Sequence, residues 1–195
     1  MTIMGVTGGS GAGKTTALGV LADMGAVVID CDMVYHALVE SSRPMLGELA
    51  ARFPGVVVDG KLERKALGRI VFSDPAALAD LSAITHSYVC RAVDAQLARE
   101  AERGAALVAI EAIALIESGL GERCDVVVGV VAPIEERVRR ITAREGLDPA
   151  YATARIKSQK PDAFFEIHCD YILENTCLGP AEFAEECRKL FDSIV

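Results

Sequence analysis

At 195 residues the chain can hold one domain with a full hydrophobic core and room for an inserted subdomain. Hydrophobic residues make up 51% and the mean hydropathy is +0.31, yet no apolar run approaches the ~18 residues of a membrane span; with neither a leader pattern nor a Met-Gly start, a cytoplasmic protein is expected. The net charge of −8 argues against a nucleic-acid surface, and Cys31, Cys90, Cys124, Cys169, Cys177 and Cys187 show no C-x-x-C or paired metal spacing that would mark a zinc site.

The chain opens with an apolar strand, Thr2 to Thr7, and runs into Gly8-Gly9-Ser10-Gly11-Ala12-Gly13-Lys14-Thr15-Thr16. This run matches G-x-x-x-x-G-K-[ST] between a strand and a helix, the context the motif requires. Side chains at the glycines would block close approach of backbone to phosphate. The N–H groups of Gly9, Gly11, Ala12 and Gly13 onward are expected to turn inward as an anion nest at the positive end of a helix dipole. Lys14 is expected to reach the β- and γ-phosphates, Thr15 to ligate Mg²⁺, and Thr16 to line the nucleotide site. A helix is predicted from about Lys14 to Met24, closed by Gly25.

Val27-Val28-Ile29 reads as a buried strand ending on Asp30-Cys31-Asp32, at the sheet edge where open α/β folds place chemistry. With side chains alternating, Asp30 and Asp32 point the same way, and position favours a catalytic role for at least one of them. The competing reading makes Asp32 the N-cap of the next helix. From about Ser41 to Ala98 the pattern becomes helical: Pro44 to Phe53, an extended piece at Val56 to Gly60, Leu62 to Val71, and a long helix from Ser73-Asp74-Pro75 towards Glu102. Interrupting the β–α alternation, this block reads as a substrate-binding insertion carrying Arg64, Lys65, Arg69 and His86. A solvated helix face is the competing reading for the cations, and a packed histidine for His86.

Ala105 to Ile110 and the valine-rich Asp125 to Val131 are strands three and four, the latter suited to burial on both faces. Pro133 opens a helix bearing Arg137, Arg139, Arg140 and Arg144; Gly146 ends it, and Asp148-Pro149 starts another. Arg137 to Lys160 holds seven of the chain's 20 Lys and Arg residues. That density reads as a lid bringing guanidinium groups to a transferring phosphate, against the alternative of an exposed helix pair with ordinary ion pairs. Tyr171 to Glu174 is a fifth strand, ending in Asn175, and Gly179-Pro180 starts the last helix. The only asparagine is followed by Thr176, so a guanine-reading N-K-x-D is excluded, and no L-S-G-G-Q occurs. A five-strand core with a helical insertion and an arginine lid points to a small-molecule kinase.

The ordered set of motifs also resembles the dephospho-coenzyme A kinase family. The resemblance runs through the glycine loop, Val28-Ile29-Asp30-Cys31-Asp32, Leu62-Glu63-Arg64-Lys65-Ala66-Leu67, Ile70 to Pro75, Ile84-Thr85-His86, Leu115-Ile116-Glu117-Ser118-Gly119-Leu120, Arg155-Ile156-Lys157-Ser158-Gln159 and Asp170 to Asn175. It implies a P-loop NTPase fold of three α/β/α layers with a five-stranded parallel sheet. It also implies ATP-dependent, Mg²⁺-assisted phosphorylation of the ribose 3′-hydroxyl of dephospho-coenzyme A, the last step of coenzyme A synthesis. On that resemblance Asp32 is the catalytic aspartate, with Lys14, Arg140 and Arg144 bracing the phosphates. Arg64, His86 and Glu117 join Asp32 on the substrate side, and Asn175 lies near the adenine. The implied organisation is a nucleotide-binding core at 1–37, 99–142 and 163–195, an insertion at about 38–98 and a lid at about 143–162, in a monomer or weak homo-oligomer. The chain departs from the family pattern at Ser87, where proline is usual, at Ile113-Ala114-Leu115, and at Cys177, where glycine often stands. A kinase of the same fold with another nucleotide or small alcohol as acceptor, and a nucleotide-binding regulatory module without turnover, are the alternatives.

Overall fold

The computed structural model describes residues 1–176 and 179–195; Cys177, one of the departures above, lies outside them. In chain order the elements are β1 (Thr2–Thr7), α1 (Lys14–Asp23), β2 (Val27–Asp30), α2 (Cys31–Ser41), α3 (Arg43–Arg52), β3 (Val57–Val58), β4 (Lys61–Leu62), α4 (Arg64–Val71) and α5 (Pro75–Glu102). There follow β5 (Leu107–Glu111), β6 (Val126–Val131), α6 (Ile134–Glu145), α7 (Pro149–Lys157), α8 (Asp162–His168), β7 (Tyr171–Glu174) and α9 (Pro180–Ile194). Two compact units result: Met1–Ile29 with Arg99–Val195, and Asp30–Ala98.

The first unit holds a five-stranded sheet of order β2-β5-β1-β6-β7. β1 lies at its centre, parallel to β5 with Val6 opposite Glu111, and parallel to β6 with Thr7 opposite Gly129. β6 continues parallel to β7. Every residue of β5 is buried, which is why its sequence is apolar throughout rather than alternating. Met4, Val6, Val128 and Val130 from the sheet pack with Leu21 of α1 and Phe183 and Phe191 of α9. The α/β expectation therefore holds, and the parallel strands bring the carboxyl ends of β1, β5, β6 and β7 to one edge.

One local expectation is corrected. The chain leaves β2 at Asp30 and is helical from Cys31, and Asp30, not Asp32, is the N-cap: its carboxylate accepts a 3.0 Å hydrogen bond from the Met33 amide. Asp32 instead occupies the first turn of α2, where its charge complements the helix dipole. Residues two apart on a helix do not share a face, so Asp30 and Asp32 are divided between a capping carboxylate and an exposed one.

The second unit is helical around Met45, Leu49, Phe53, Val56, Leu67 and Val71. Ser42 caps α3 by accepting from the Met45 amide at 3.4 Å, with proline in the first turn. Between β3 and β4, Asp59 (φ 51°) and Gly60 (φ 73°) form the two-residue turn that positive φ at both central positions defines. Ser87, where the family usually has proline, lies inside α5, which runs unbroken for 28 residues; proline at that position would remove a helical hydrogen bond.

Candidate active site

The carboxyl end of β1 leads into a tightly enclosed loop. Gly8 has φ 139° and sits against the Val130 backbone of β6 so closely that a Cβ there would be driven into the Val130 carbonyl oxygen. Only glycine meets both conditions. The carbonyls of the loop are then taken, one after another, by side-chain donors. Lys14 Nζ donates to the Gly8 carbonyl at 3.0 Å, and Arg137 Nε donates to that of Ser10 at 2.9 Å. Arg140 Nη1 donates to those of Gly11 and Ala12 at 3.3 and 3.2 Å. Asn175 Nδ2 donates to the Ala12 carbonyl at 2.8 Å, and Asn175 Oδ1 accepts from Arg140 Nη2 at 3.1 Å.

This arrangement is chemically asymmetric. With carbonyls gripped by cations and an amide, the loop presents a backbone of fixed curvature at the amino end of α1, the arrangement that binds anions. Lys14 also pairs with Glu111 at 3.3 Å, both side chains only 11% exposed. Beside the loop, Gly13, Thr16, Arg140, Asn175, Gly179 and Pro180 line a hollow of about 320 Å³. A side chain at Gly13 (φ 122°) would strike the Asn175 amide. Thr15 is exposed at the start of α1, its hydroxyl a hard-oxygen donor.

The residues expected from the sequence divide into four groups. Gly9, Gly11, Ala12, Gly13, Lys14, Thr15, Thr16, Arg140 and Asn175 belong to the loop or its adjoining hollow. Glu117 lines a separate hollow of about 380 Å³ with Ile113, Gln159, Lys160 and Phe165. Arg144 does not reach the loop: it is exposed and pairs with Glu145, which also accepts from Arg155 at 2.8 Å. The hydrogen bond from Arg144, then the charge of Arg155, hold the Glu145 carboxyl below its ordinary range. Asp32, Arg64 and His86 lie in the helical unit. There Arg64 Nη2 lies 3.0 Å from His36 Nδ1; guanidinium has no acceptor, so the ring nitrogen accepts. Burial raises the neighbouring Tyr35 hydroxyl's pKa, partly offset by the charge of Arg64.

Sequence reasoning does not single out Glu111, and it reads Arg137 and Gln159 only within the lid and a family motif, not as residues that hold the loop. Arg137, 2% exposed, lies in the stripe Ile134-Arg137-Val138-Ile141, where helical spacing reserves the position for a core residue. A charged residue at such a position was the available signal. Burial lowers its pKa and Asp162 raises it.

A parallel sheet whose central strand feeds a glycine loop, a loop lysine and an arginine-bearing helix define a P-loop kinase, an ATP-dependent enzyme. The family model described as dephospho-CoA kinase matches residues 2–179. A dephospho-CoA kinase of Anaeromyxobacter dehalogenans is 40% identical over 194 residues, covering 98% of this chain and 92% of that protein. The chain belongs to the dephospho-CoA kinase family. A crystal structure of a Thermus thermophilus protein superimposes with a TM-score of 0.84 at 37% identity, covering all of this chain and 97% of that one. Shikimate kinase from Bacteroides thetaiotaomicron (TM-score 0.58, 15% identity, 99% and 97% covered) shares the fold.

Proposed function

We propose that this chain transfers the γ-phosphoryl group of ATP to the ribose 3′-hydroxyl of dephospho-coenzyme A, giving coenzyme A and ADP, the last step of coenzyme A biosynthesis. The observation that carries this reading is the union of a preformed phosphate loop with a family match that spans nearly the whole chain. Phosphoryl transfer asks a protein chiefly for alignment and charge stabilisation, and the loop offers both.

In this reading Lys14 exchanges the Gly8 carbonyl for the β- and γ-phosphate oxygens, and Glu111 steadies the ammonium in the low-dielectric pocket. Arg140 and Asn175 hold the loop's outer edge while the hollow beside Gly13 and Thr16 receives the adenosine end. Arg144 swings from Glu145 toward phosphate as the segment of about 143–162 acts as a lid. Asp32, left exposed because Asp30 does the capping, accepts the acceptor hydroxyl's proton or orients that hydroxyl. The helical unit, with Arg64 and His86, binds the acceptor, and Glu117 lines its path.

Mg²⁺ fits this donor set. Among the described residues no group of three or more His, Cys, Asp or Glu could hold a metal, and Mg²⁺ is ordinarily bound by one or two protein oxygens plus phosphates and water. Thr15 would hold it, and the ion would neutralise charge on the phosphates. Among the described residues no helix is long and apolar enough to cross a membrane. In this reading the protein acts on small molecules in the cytoplasm as a monomer or weak homo-oligomer.

The test is coupled ADP release from purified protein with ATP, Mg²⁺ and dephospho-coenzyme A, alongside a panel of nucleoside, nucleotide and sugar acceptors. Strong stimulation by dephospho-coenzyme A, with a product one phosphoryl group heavier, is the expected result. ADP release no faster than with ATP alone, or stimulated only by another acceptor, overturns the assignment.

A further inference from the structure

Ser10, at the crest of the phosphate loop, has its three polar groups engaged by two side chains far away in sequence. Its amide donates to Gln159 Oε1 at 2.9 Å, its hydroxyl accepts from Gln159 Nε2 at 2.8 Å, and its carbonyl accepts from Arg137 Nε at 2.9 Å. Gln159 and Arg137 are themselves joined, Arg137 Nη2 donating to Gln159 Oε1 at 3.1 Å, and Asp162 pairs with the same guanidinium at 3.5 Å. There is no slack on either side of Ser10. A Cβ at Gly9 would be driven into the Arg137 guanidinium, and one at Gly11 would lie 2.8 Å from the Arg137 carbonyl oxygen.

We infer that Gln159 and Arg137 are positioning residues for nucleotide binding: they fix the Ser10 peptide, set the curvature of the phosphate loop, and tie that loop to the root of the α6–α7 helix pair. Gln159 lies between the end of α7 and the start of α8, so its side chain staples that connection to the loop. α7 packs on α6 through Ile141, Ala152 and Ile156. The root of the pair that carries Arg144 and Arg155 is therefore anchored at Ser10, and Arg140 fastens the same α6 to the Gly11 and Ala12 carbonyls.

The chemistry matches the task. A carboxamide supplies an acceptor for the Ser10 amide and a donor for its hydroxyl at once, which neither a carboxylate nor an ammonium can do. The Ser10 amide is thereby committed to the protein, as the Ala12 amide is to the Gly9 carbonyl at 3.2 Å, and the anion site falls to other amides of the loop. Preorganised donors act without reorganising when charge arrives. Arg137, 2% exposed and close against Gly9, adds a fixed positive charge beneath the loop that exposed lid arginines do not supply.

This inference rests on the reading of the loop as an ATP site, and the experiment separates the two. ADP–Mg binding is measured by calorimetry on wild type, Gln159→Leu, Ser10→Ala and the double variant, with the unfolding midpoint of each and steady-state KM for ATP and for dephospho-coenzyme A. Wild type that binds no ADP refutes the ATP site itself. With wild type binding, Gln159→Leu, of nearly the same shape, should weaken ADP and raise the KM for ATP by about tenfold, and should raise it by more than the KM for dephospho-coenzyme A, which Gln159 touches only through the hollow it shares with Glu117. A merely structural role lowers the midpoint but leaves ADP affinity of the folded protein intact, and that outcome overturns the inference. Ser10→Ala removes only one of the Gln159 bonds and should cost two- to fivefold in affinity; it carries the test alone if Gln159→Leu does not fold, with unchanged affinity the refuting result. In the double variant the loss should be no larger than that of Gln159→Leu, and fully additive losses overturn the coupling.

Discussion

Replacing Gly8 by alanine tests how far the site depends on a loop with no spare room. The new methyl group would enter the Val130 carbonyl oxygen, with the carbonyl carbon at 3.1 Å and the Val130 amide nitrogen at 3.2 Å. All three are backbone atoms of a strand paired on both sides, so no side chain can rotate away. The φ of 139° is also one that L residues rarely adopt, a cost of about 1–3 kcal/mol. Overpacking adds about 1–3 kcal/mol. Relief of the clash requires the loop to shift by on the order of 1 Å, and a displacement of that size at a reacting centre is worth about 10²-fold in rate. Gly8→Ala should therefore lose about 2–6 kcal/mol in urea unfolding, the sum of those two costs, and its kcat/KM for ATP should fall by ~10²-fold or more. Gly19→Ala is the matched control. Gly19 is an exposed position within α1 with nothing within 4 Å of the added methyl, and the change should stabilise by about 0.5–1 kcal/mol. A Gly8→Ala protein within 0.5 kcal/mol of wild type and with unaltered turnover would refute the packing argument.

Lys14→Ala should lower kcat by ~10²-fold or more through loss of a transition-state charge contact; unchanged turnover in single-turnover assays contradicts the assigned role. Asp32→Asn should leave ATP binding nearly intact while transfer collapses, as read by calorimetry beside coupled ADP release. An equal loss of both would make Asp32 a metal or structural residue. The Cys124 thiol is pushed up to about 12 from an ordinary 9.0, first by burial and then by Asp125. The unfolded chain loses this proton first, so the associated stability is intact below about pH 9 and disappears as pH rises toward 12. Between about pH 8 and about pH 10, Cys124→Ala should lose less stability than wild type by on the order of 1 kcal/mol. Parallel urea midpoints for the two proteins would contradict this.

Much of the architecture was legible because it rests on local rules. Glycine-rich punctuation after an apolar strand, proline at helix starts and glycine at helix ends locate the phosphate loop, α3, α5, α6 and α7 without tertiary information. The Asp59-Gly60 turn is likewise written in residue types that tolerate positive φ. The end of β2 was less legible. An aspartate at the end of a strand and one in the first turn of a helix are both ordinary, and choosing Asp30 as the cap depends on the bond it makes to the Met33 amide.

What the residues alone determined is the kind of chemistry: a backbone nest for polyphosphate, a lysine to meet it, a hydroxyl for a hard cation, and motifs of the dephospho-CoA kinase family. What only the folded chain decided is which charged groups hold that nest. Arg137 and Arg144 are the same residue type on one helix, yet one is buried against Ser10 and the other is exposed beside Glu145. Gln159 is 149 residues from Ser10 and bonded to it twice. Such pairings follow from which strands lie side by side and which helix faces they cover, and local spacing carries no record of contacts between segments so far apart.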